Sequence, residues 1–278
     1  MQKERIDLLV VQQGLTDSRE KAKRLVMAGK IYDENNLRYD KAGEKINAET
    51  ILHIKGETLK YVSRGGLKLE KALDLFNVSV ADKIVLDIGS STGGFTDVAL
   101  QNGAELVYAL DVGTNQLDWK LRSNDQVVVM EQMNFRYSKL ADFTKGQPAF
   151  ACMDVSFISL KLIWPVLKEI LEVGGDAIAL IKPQFEAGKD KVGKKGIVSD
   201  PAIHQTVLEE MLTFAALIGF DVKALSFSPI TGGTGNIEFL VHLKSTENGP
   251  GTIAEQVSIQ DVLVEAHQNL KNKAIHLR

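Results

Sequence analysis

Cysteine is nearly absent. The 278 residues contain one, Cys152, so neither an internal disulfide nor a cysteine-built zinc site can form, and a reducing compartment is expected. No apolar run reaches the roughly 18 residues needed to span a bilayer. The most apolar region, 149–171, is broken by Asp154, Lys161, Lys168 and Glu169. The N-terminus, MQKERIDLLVVQQG, has an apolar patch too short and too charged for a secretory signal, so a cytoplasmic protein is expected. There is no internal repeat, no low-complexity tract and no large excess of either charge; a net −3 argues against indiscriminate nucleic-acid binding. The balance is uneven, with 12 Lys+Arg against 10 Asp+Glu in residues 1–60 and 21 against 26 in 61–278.

What is present is ordinary globular usage, 44% hydrophobic and 25% charged, in a length that suits one large domain and one small one. Residues 85–100, VLDIGSSTGGFTDVAL, join a strand pattern (Val85, Leu86, Ile88) to a helix pattern through Gly89, Gly93 and Gly94. Such a turn brings backbone close to a ligand at a sheet edge. Upstream, residues 4–13 have helical spacing with Gly14 as a stop. Ser18 then caps a second helix whose Ala22, Leu25 and Val26 face inward, leaving Arg19, Lys21, Lys23, Arg24 and Lys30 largely on the solvent side. With Arg5 these form a candidate phosphate-binding face, the bland alternative being a solvated helix surface. Short strand patterns follow at 30–32, 44–46 and 50–54, then a linker at 55–61 and a helix in SRGGLKLEKALDLF with Ser63 as its candidate cap.

From residue 83 the pattern alternates, with strands at 83–88, 106–111, 127–131, 149–154 and 176–182 and helices at 95–102, 116–123, 160–172 and 201–218. This predicts parallel crossovers and an α/β doubly wound sheet. Strand patterns at 222–228 and 237–244 are joined through TGGTGN without room for a helix, so they should be antiparallel neighbours. Five parallel strands closed by such a pair resemble the class I, Rossmann-like arrangement seen in methyltransferases. Ser258 and Asp261 suggest a capping box opening a C-terminal helix that packs on the sheet domain through Val262, Leu263, Ala266 and Leu270.

The glycine turn discriminates among cofactors. A phosphate-binding loop needs GxxxxGK[ST], and here Gly94 is followed by Phe95 and Thr96. A dinucleotide fingerprint needs a second glycine where Ser91 stands. S-adenosylmethionine has no phosphate. Asp87 suits its amino group and Asp111 its ribose diol, and Gly89, Ser90, Ser91, Gly93, Gly94, Phe95 and Asp154 join them in the candidate cofactor-binding set. Asn134 falls where the fold contacts adenine, although a loop-capping role is the plain alternative.

Asp154 ends the fourth parallel strand and Lys182 the fifth, at the edge where open α/β sheets bind ligands, and Glu238 at the start of the last strand can point there too. A lysine at the end of an apolar strand is costly unless paired, so a structural ion pair is the alternative. Cys152 admits a rival thiolate chemistry, but a packing cysteine two residues deeper in the strand is the simpler reading. Lys189, Lys191, Lys194 and Lys195, in EAGKDKVGKKGIV, could clamp substrate phosphates, as could Arg64; the alternative is a solvated loop.

Two resemblances follow from these motifs. RIDLLVVQQGLTDSREKAKRLVMAGKIYD resembles the RNA-binding domain named after ribosomal protein S-four. Lys68, Asp154, Lys182 and Glu238, in GLKL, MDVSF, LIKPQFE and GNIEFLVHL, are similar to the Lys-Asp-Lys-Glu tetrad of FtsJ-type ribose 2′-O-methyltransferases. With VSRGGLKL, DVGTNQL and DVSFISL also present, the chain resembles the TlyA/hemolysin-like family of ribosomal RNA methyltransferases. The resemblance implies an S-four-like domain at 1–60, an FtsJ-type domain at 61–246 and a helical extension at 247–278. It also implies S-adenosylmethionine-dependent 2′-O-methylation of cytidine in 16S and/or 23S ribosomal RNA. A monomer acting on ribosomal RNA or subunits, away from membranes, is expected. In that chemistry Lys182 is either the base for the 2′-hydroxyl or, still charged, a stabiliser of the alkoxide. Other readings are a non-catalytic ribosome-assembly factor, which should lack part of the tetrad or the turn, and a membrane-active hemolysin, which needs inserting segments not found here.

Overall fold

The structure is a computed structural model describing residues 3–35, 37–55 and 60–275, with backbone alone from 270 onward. Residues 56–59 of the expected linker, Asn36 and the Leu270 side chain lie outside the described residues. The chain divides into two units, Met1–Lys60 and Tyr61–Arg278.

In the first unit, β1 (Lys3–Arg5) pairs antiparallel with β4 (Lys45–Asn47), and α1 (Ile6–Gln12) and α2 (Arg19–Met27) pack together. A three-stranded sheet centres β2 (Ile31–Asp33) between β3 (Arg38–Tyr39) and β5 (Leu52–Ile54). Ile6, Leu9, Val10, Ala22, Val26, Ile31 and Leu52 form the core, each worth about 1.5–3 kcal/mol if of Val, Leu or Ile size. Ser18 caps α2, its Oγ accepting from Lys21 N at 3.3 Å. The helix expected from residue 4 begins only at Ile6, because the backbone of residues 3–5 is paired with β4. β3 escaped the sequence pattern because two residues carry no periodicity.

The second unit carries a seven-stranded sheet. Its strands are β6 (Ile84–Ile88), β7 (Leu106–Leu110), β8 (Val127–Met130), β9 (Phe150–Met153), β10 (Asp176–Ile181), β11 (Phe220–Phe227) and β12 (Phe239–Ser245), in the order β11-β12-β10-β9-β6-β7-β8. β12 is antiparallel to both of its neighbours and alone runs against the rest. Alternation along β6 sends Val85 toward α3 (Gly66–Phe76) and α4 (Gly94–Gln101), and Leu86 and Ile88 toward α6 (Trp164–Ile170) and α8 (Pro201–Leu217). The short helices α5 (Trp119–Arg122) and α7 (Pro183–Glu186) follow β7 and β10. α9 (Ile259–Ile275) packs on α8 and β11, with Leu263 and Ala266 inside the same core, and its first turn is capped by Ser258 Oγ accepting from Asp261 N at 3.2 Å.

Three expectations are corrected. Ser63 does not cap α3, whose N-cap is Gly65 without a side-chain bond. The helix expected at 160–172 is a 3₁₀ turn, Leu160–Leu162, followed by α6, because Pro165 removes a backbone donor and fits only a helix's first turn. The stretch at 116–123 is helical only over α5, where Asp118 Oδ1 accepts from Lys120 N and starts the helix late.

Candidate active site

The sheet's chain directions build the site. β6, β9 and β10 are parallel, so Asp87, Asp154 and Lys182 emerge at one edge. Because β12 is reversed, its beginning lies at that same edge, which brings Glu238 there. Lys68 arrives from α3 on the neighbouring layer.

Lys68, Asp154, Lys182 and Glu238 form one chain of contacts. Lys68 Nζ lies 2.8 Å from Asp154 Oδ2 and 2.7 Å from Glu238 Oε2, and Lys182 Nζ lies 2.5 Å from Asp154 Oδ1. Lys68, Lys182 and Glu238 are buried, while the Asp154 side chain keeps 21% exposure. Burial pulls the Lys68 ammonium toward neutrality, but Asp154 and then Glu238 outweigh it and raise its pKa above the usual lysine value. Burial likewise pushes Asp154 up, and the two lysines overcome it, leaving the carboxyl below the ordinary aspartate value.

Beside them, the turn between β6 and α4 needs its glycines. Gly93 holds φ +94°, and a Cβ on Gly94 would collide with Ser63 Oγ and lie 2.9 Å from Gly66 N. The turn borders two cavities. One, of about 420 Å³, is lined by Asp87, Ser90, Gly94 and Phe95 together with the four tetrad residues, Gln184 and Thr234. The second, of about 350 Å³, is lined by Asp111, Asn134 and the apolar Ile88, Leu110, Met133, Val155 and Ile158. Gly89, Ser91, Asp154, Ser156 and Phe157 border both.

The donor set fits S-adenosylmethionine. Asp87 is buried, with Oδ2 accepting from Thr96 Oγ1 at 2.7 Å and Oδ1 lacking any partner among the described residues. Burial pushes its carboxyl up to about 7, and a ligand ammonium would offset that penalty. Asp111 accepts from Ser91 N at 2.9 Å and Gly113 N at 2.7 Å, which fixes its carboxylate while leaving lone pairs for a diol. Asn134 lines the second cavity, yet its Oδ1 caps the following turn by accepting from Arg136 N at 3.2 Å, the loop-capping alternative.

Sequence reading missed several residues of the cavities. Ser156 Oγ accepts from Lys182 Nζ at 2.9 Å. Phe157 is 91% exposed with φ +62°, an uncommon conformation for a bulky residue, and its ring lies 5.1 Å from that of Phe185. Gln184 has a buried Oε1 without a partner among the described residues. The aromatic ring in MDVSF, next to a polar strand end, was the available signal. Cys152 is buried beneath Asp154, with its thiol pushed well up by burial, which removes it as a thiolate.

The basic residues divide. Arg5 Nε and Arg19 Nε pair with the buried Asp7 at 2.9 and 3.0 Å, Lys23 with Glu20 at 2.6 Å, and Lys21 with Asp17 at 3.6 Å. The solvated face expected there is thus partly engaged within its own unit. Arg24, Arg64, Lys189, Lys191, Lys194 and Lys195 are exposed, and Lys30 is half-buried. Among the described residues no helix is long and apolar enough to cross a membrane, and no cluster of His, Cys, Asp or Glu could hold a metal ion.

Comparison with known proteins agrees with this geometry. Residues 61–245 match the family described as FtsJ-like methyltransferase. A Bacillus subtilis protein named "Putative rRNA methyltransferase YqxC" is 61% identical over 98% of this chain and 96% of its own. The Mycobacterium tuberculosis protein named 16S/23S rRNA (cytidine-2'-O)-methyltransferase TlyA is 37% identical over 87% of this chain and 90% of its own. A solved structure described as "Putative hemolysin from Streptococcus thermophilus" is 58% identical, with a TM-score of 0.77 and 99% of each chain covered. The chain belongs to the FtsJ-like methyltransferase family and is a relative of the TlyA methyltransferases.

Proposed function

We propose that this protein transfers a methyl group from S-adenosylmethionine to the 2′-hydroxyl of a cytidine in 16S and/or 23S ribosomal RNA. The observation that carries the reading is the continuous Lys182–Asp154–Lys68–Glu238 contact chain in the same cavity that Asp87 and the glycine turn line. Relatives named as cytidine 2′-O-methyltransferases of ribosomal RNA support the substrate class.

A ribose hydroxyl is a poor nucleophile, so the protein must take or polarise its proton as the oxygen attacks. When bound, S-adenosylmethionine supplies an electrophilic methyl group on a sulfonium. Asp87 and the glycine turn would hold its methionyl end, Asp111 its ribose, and Asn134 would approach its adenine. Two of the directions open to Lys182 Nζ are taken by Asp154 and Ser156, leaving the third for the acceptor hydroxyl. Asp154, shared with Lys68, fixes the position of Lys182 Nζ. Once the proton arrives, Asp154 and Ser156 hold the ammonium beside the nascent ether. Glu238 keeps Lys68 in place, and the rings of Phe157 and Phe185 offer an apolar wall for the nucleobase. The unit 1–60, with Arg24 and Lys30, and the 189–195 lysines grip phosphates.

Mapping ribose methylation across ribosomal RNA from cells with and without the gene tests this reading. Loss of one or more 2′-O-methylcytidines is expected, and an unchanged map refutes it.

A further inference from the structure

The lysine-bearing segment beyond Lys182 is anchored at its base. After a 3₁₀ turn, Lys189–Lys191, the chain closes on itself: Gly193 N donates to the Ile197 carbonyl at 3.0 Å and Gly196 N to the Gly193 carbonyl at 2.8 Å. Lys194 and Lys195 sit at the exposed tip. One side chain from a distant part of the sequence grips the base. Asn236, 1% exposed, accepts from Val198 N through Oδ1 at 2.9 Å and donates through Nδ2 to the Gly196 carbonyl at 2.8 Å and to Thr234 Oγ1 at 3.0 Å. From the opposite side, the buried His204 places Nε2 2.9 Å from the Val198 carbonyl.

Asn236 also belongs to the catalytic edge. Its own carbonyl accepts from Gly232 N at 2.9 Å, Thr234 lines the cavity that the tetrad lines, and Glu238, two residues on, reaches Lys68 at 2.7 Å. A buried carboxamide with this set of partners fixes relative position. An apolar replacement would leave the buried Val198 N–H unpaired and release the carbonyl of the exposed Gly196 from the grip.

We propose that Asn236 is a positioning residue that registers the Lys194–Lys195 turn against the Thr234–Glu238 segment. A phosphate of bound RNA gripped at the turn is thereby held at a set offset from Glu238 and Lys68, and so from the acceptor hydroxyl. The proposal rests on the RNA-methylation reading above and adds a coupling between phosphate grip and tetrad that neither motif alone contains. A misplacement of about 1 Å between substrate and reacting groups costs on the order of a hundredfold in rate.

The test uses the full chain, purified ribosomal subunits and labelled S-adenosylmethionine, with kcat and KM for subunits measured separately. Four proteins are compared: wild type, Asn236→Ala, the Lys194→Glu/Lys195→Glu pair, and the combination. The lysine pair should raise KM. Asn236→Ala should raise KM and lower kcat by about tenfold to a hundredfold. In the combination, charge reversal should add little further KM change, because the turn has already lost its register. Asn236→Asp, which keeps the acceptor for Val198 N, should recover part of the loss and carries the same comparison if the alanine variant does not fold. Independent, multiplicative effects on KM overturn the proposal, as does a lowered melting temperature with unchanged kcat per folded molecule. Absence of transfer by the wild type refutes the methylation reading and this proposal with it. Wild-type transfer with multiplicative effects removes this proposal alone.

Discussion

Asp154→Asn is the most informative single change to the contact chain. It preserves the shape of the side chain but removes the carboxylate shared by two buried lysines, at 2.8 Å from Lys68 and 2.5 Å from Lys182. Taking one partner from a buried pair costs about 3–5 kcal/mol. Asp154 keeps 21% of its side chain exposed, and asparagine retains one accepting oxygen, so about 2–3 kcal/mol is expected. For a unit of this size that is a fall of about 5–10 °C in melting temperature at pH 7. Methyl transfer should fall by about a hundredfold or more. The loss of stability should depend on pH in a defined direction. Lys68 and Lys182 hold the folded-state pKa of Asp154 below its ordinary value of 3.8. The carboxylate's stabilisation is therefore fully present above the unfolded value and disappears as pH falls through the lower folded one. Melting curves of the two proteins from pH 8 downward should keep a constant gap to about pH 5 and converge below about 4. Equal melting temperatures at pH 7, or a gap that widens as the medium is acidified, refute the reasoning.

Asp111→Ala removes the carboxylate that holds Ser91 N and Gly113 N at the mouth of the second cavity, and should weaken S-adenosylmethionine binding by about tenfold or more in equilibrium dialysis. Undiminished affinity removes Asp111 from the cofactor site. Cys152→Ser buries a hydroxyl in place of a packing thiol; it should keep its kcat while losing about 1–2 kcal/mol of stability in denaturant titration. A kcat reduced by orders of magnitude would restore the thiolate mechanism.

Much of the large unit was legible because its signals are periodic and repeated. The strands at β6, β7, β9 and β10 are apolar runs bounded by glycine or charge, and the strand-end positions of Asp87, Asp111, Asp154 and Lys182 followed from those boundaries. The tetrad was legible by resemblance. Its geometry was not, because the contact of Lys68 with Glu238 spans 170 residues of sequence and depends on β12 running backwards. Residues that act through irregular backbone were invisible: the positive φ of Phe157, the orphaned Gln184 oxygen and the grip of Asn236 leave no periodic trace. Ser63 was misread as a cap because capping residues and close-packing residues share small, polar chemistry. Its hydroxyl instead lies against Gly94, where only glycine leaves room. The basic face of α2 was read as largely on the solvent side and a candidate phosphate grip, since the sequence could not show that Asp7 would be buried and paired with Arg5 and Arg19.

The central claim is that Lys182 acts on a ribose hydroxyl beside a bound methyl donor. The direct measurement incubates the full chain with ribosomal subunits and methyl-labelled S-adenosylmethionine, digests the RNA to nucleosides and quantifies 2′-O-methylcytidine for wild type and Lys182→Ala, with cofactor affinity measured in parallel. Labelled 2′-O-methylcytidine from the wild type, and none from a Lys182→Ala protein that binds the cofactor as tightly, is the predicted result. Near-normal turnover by Lys182→Ala, or label found on a base, contradicts the account.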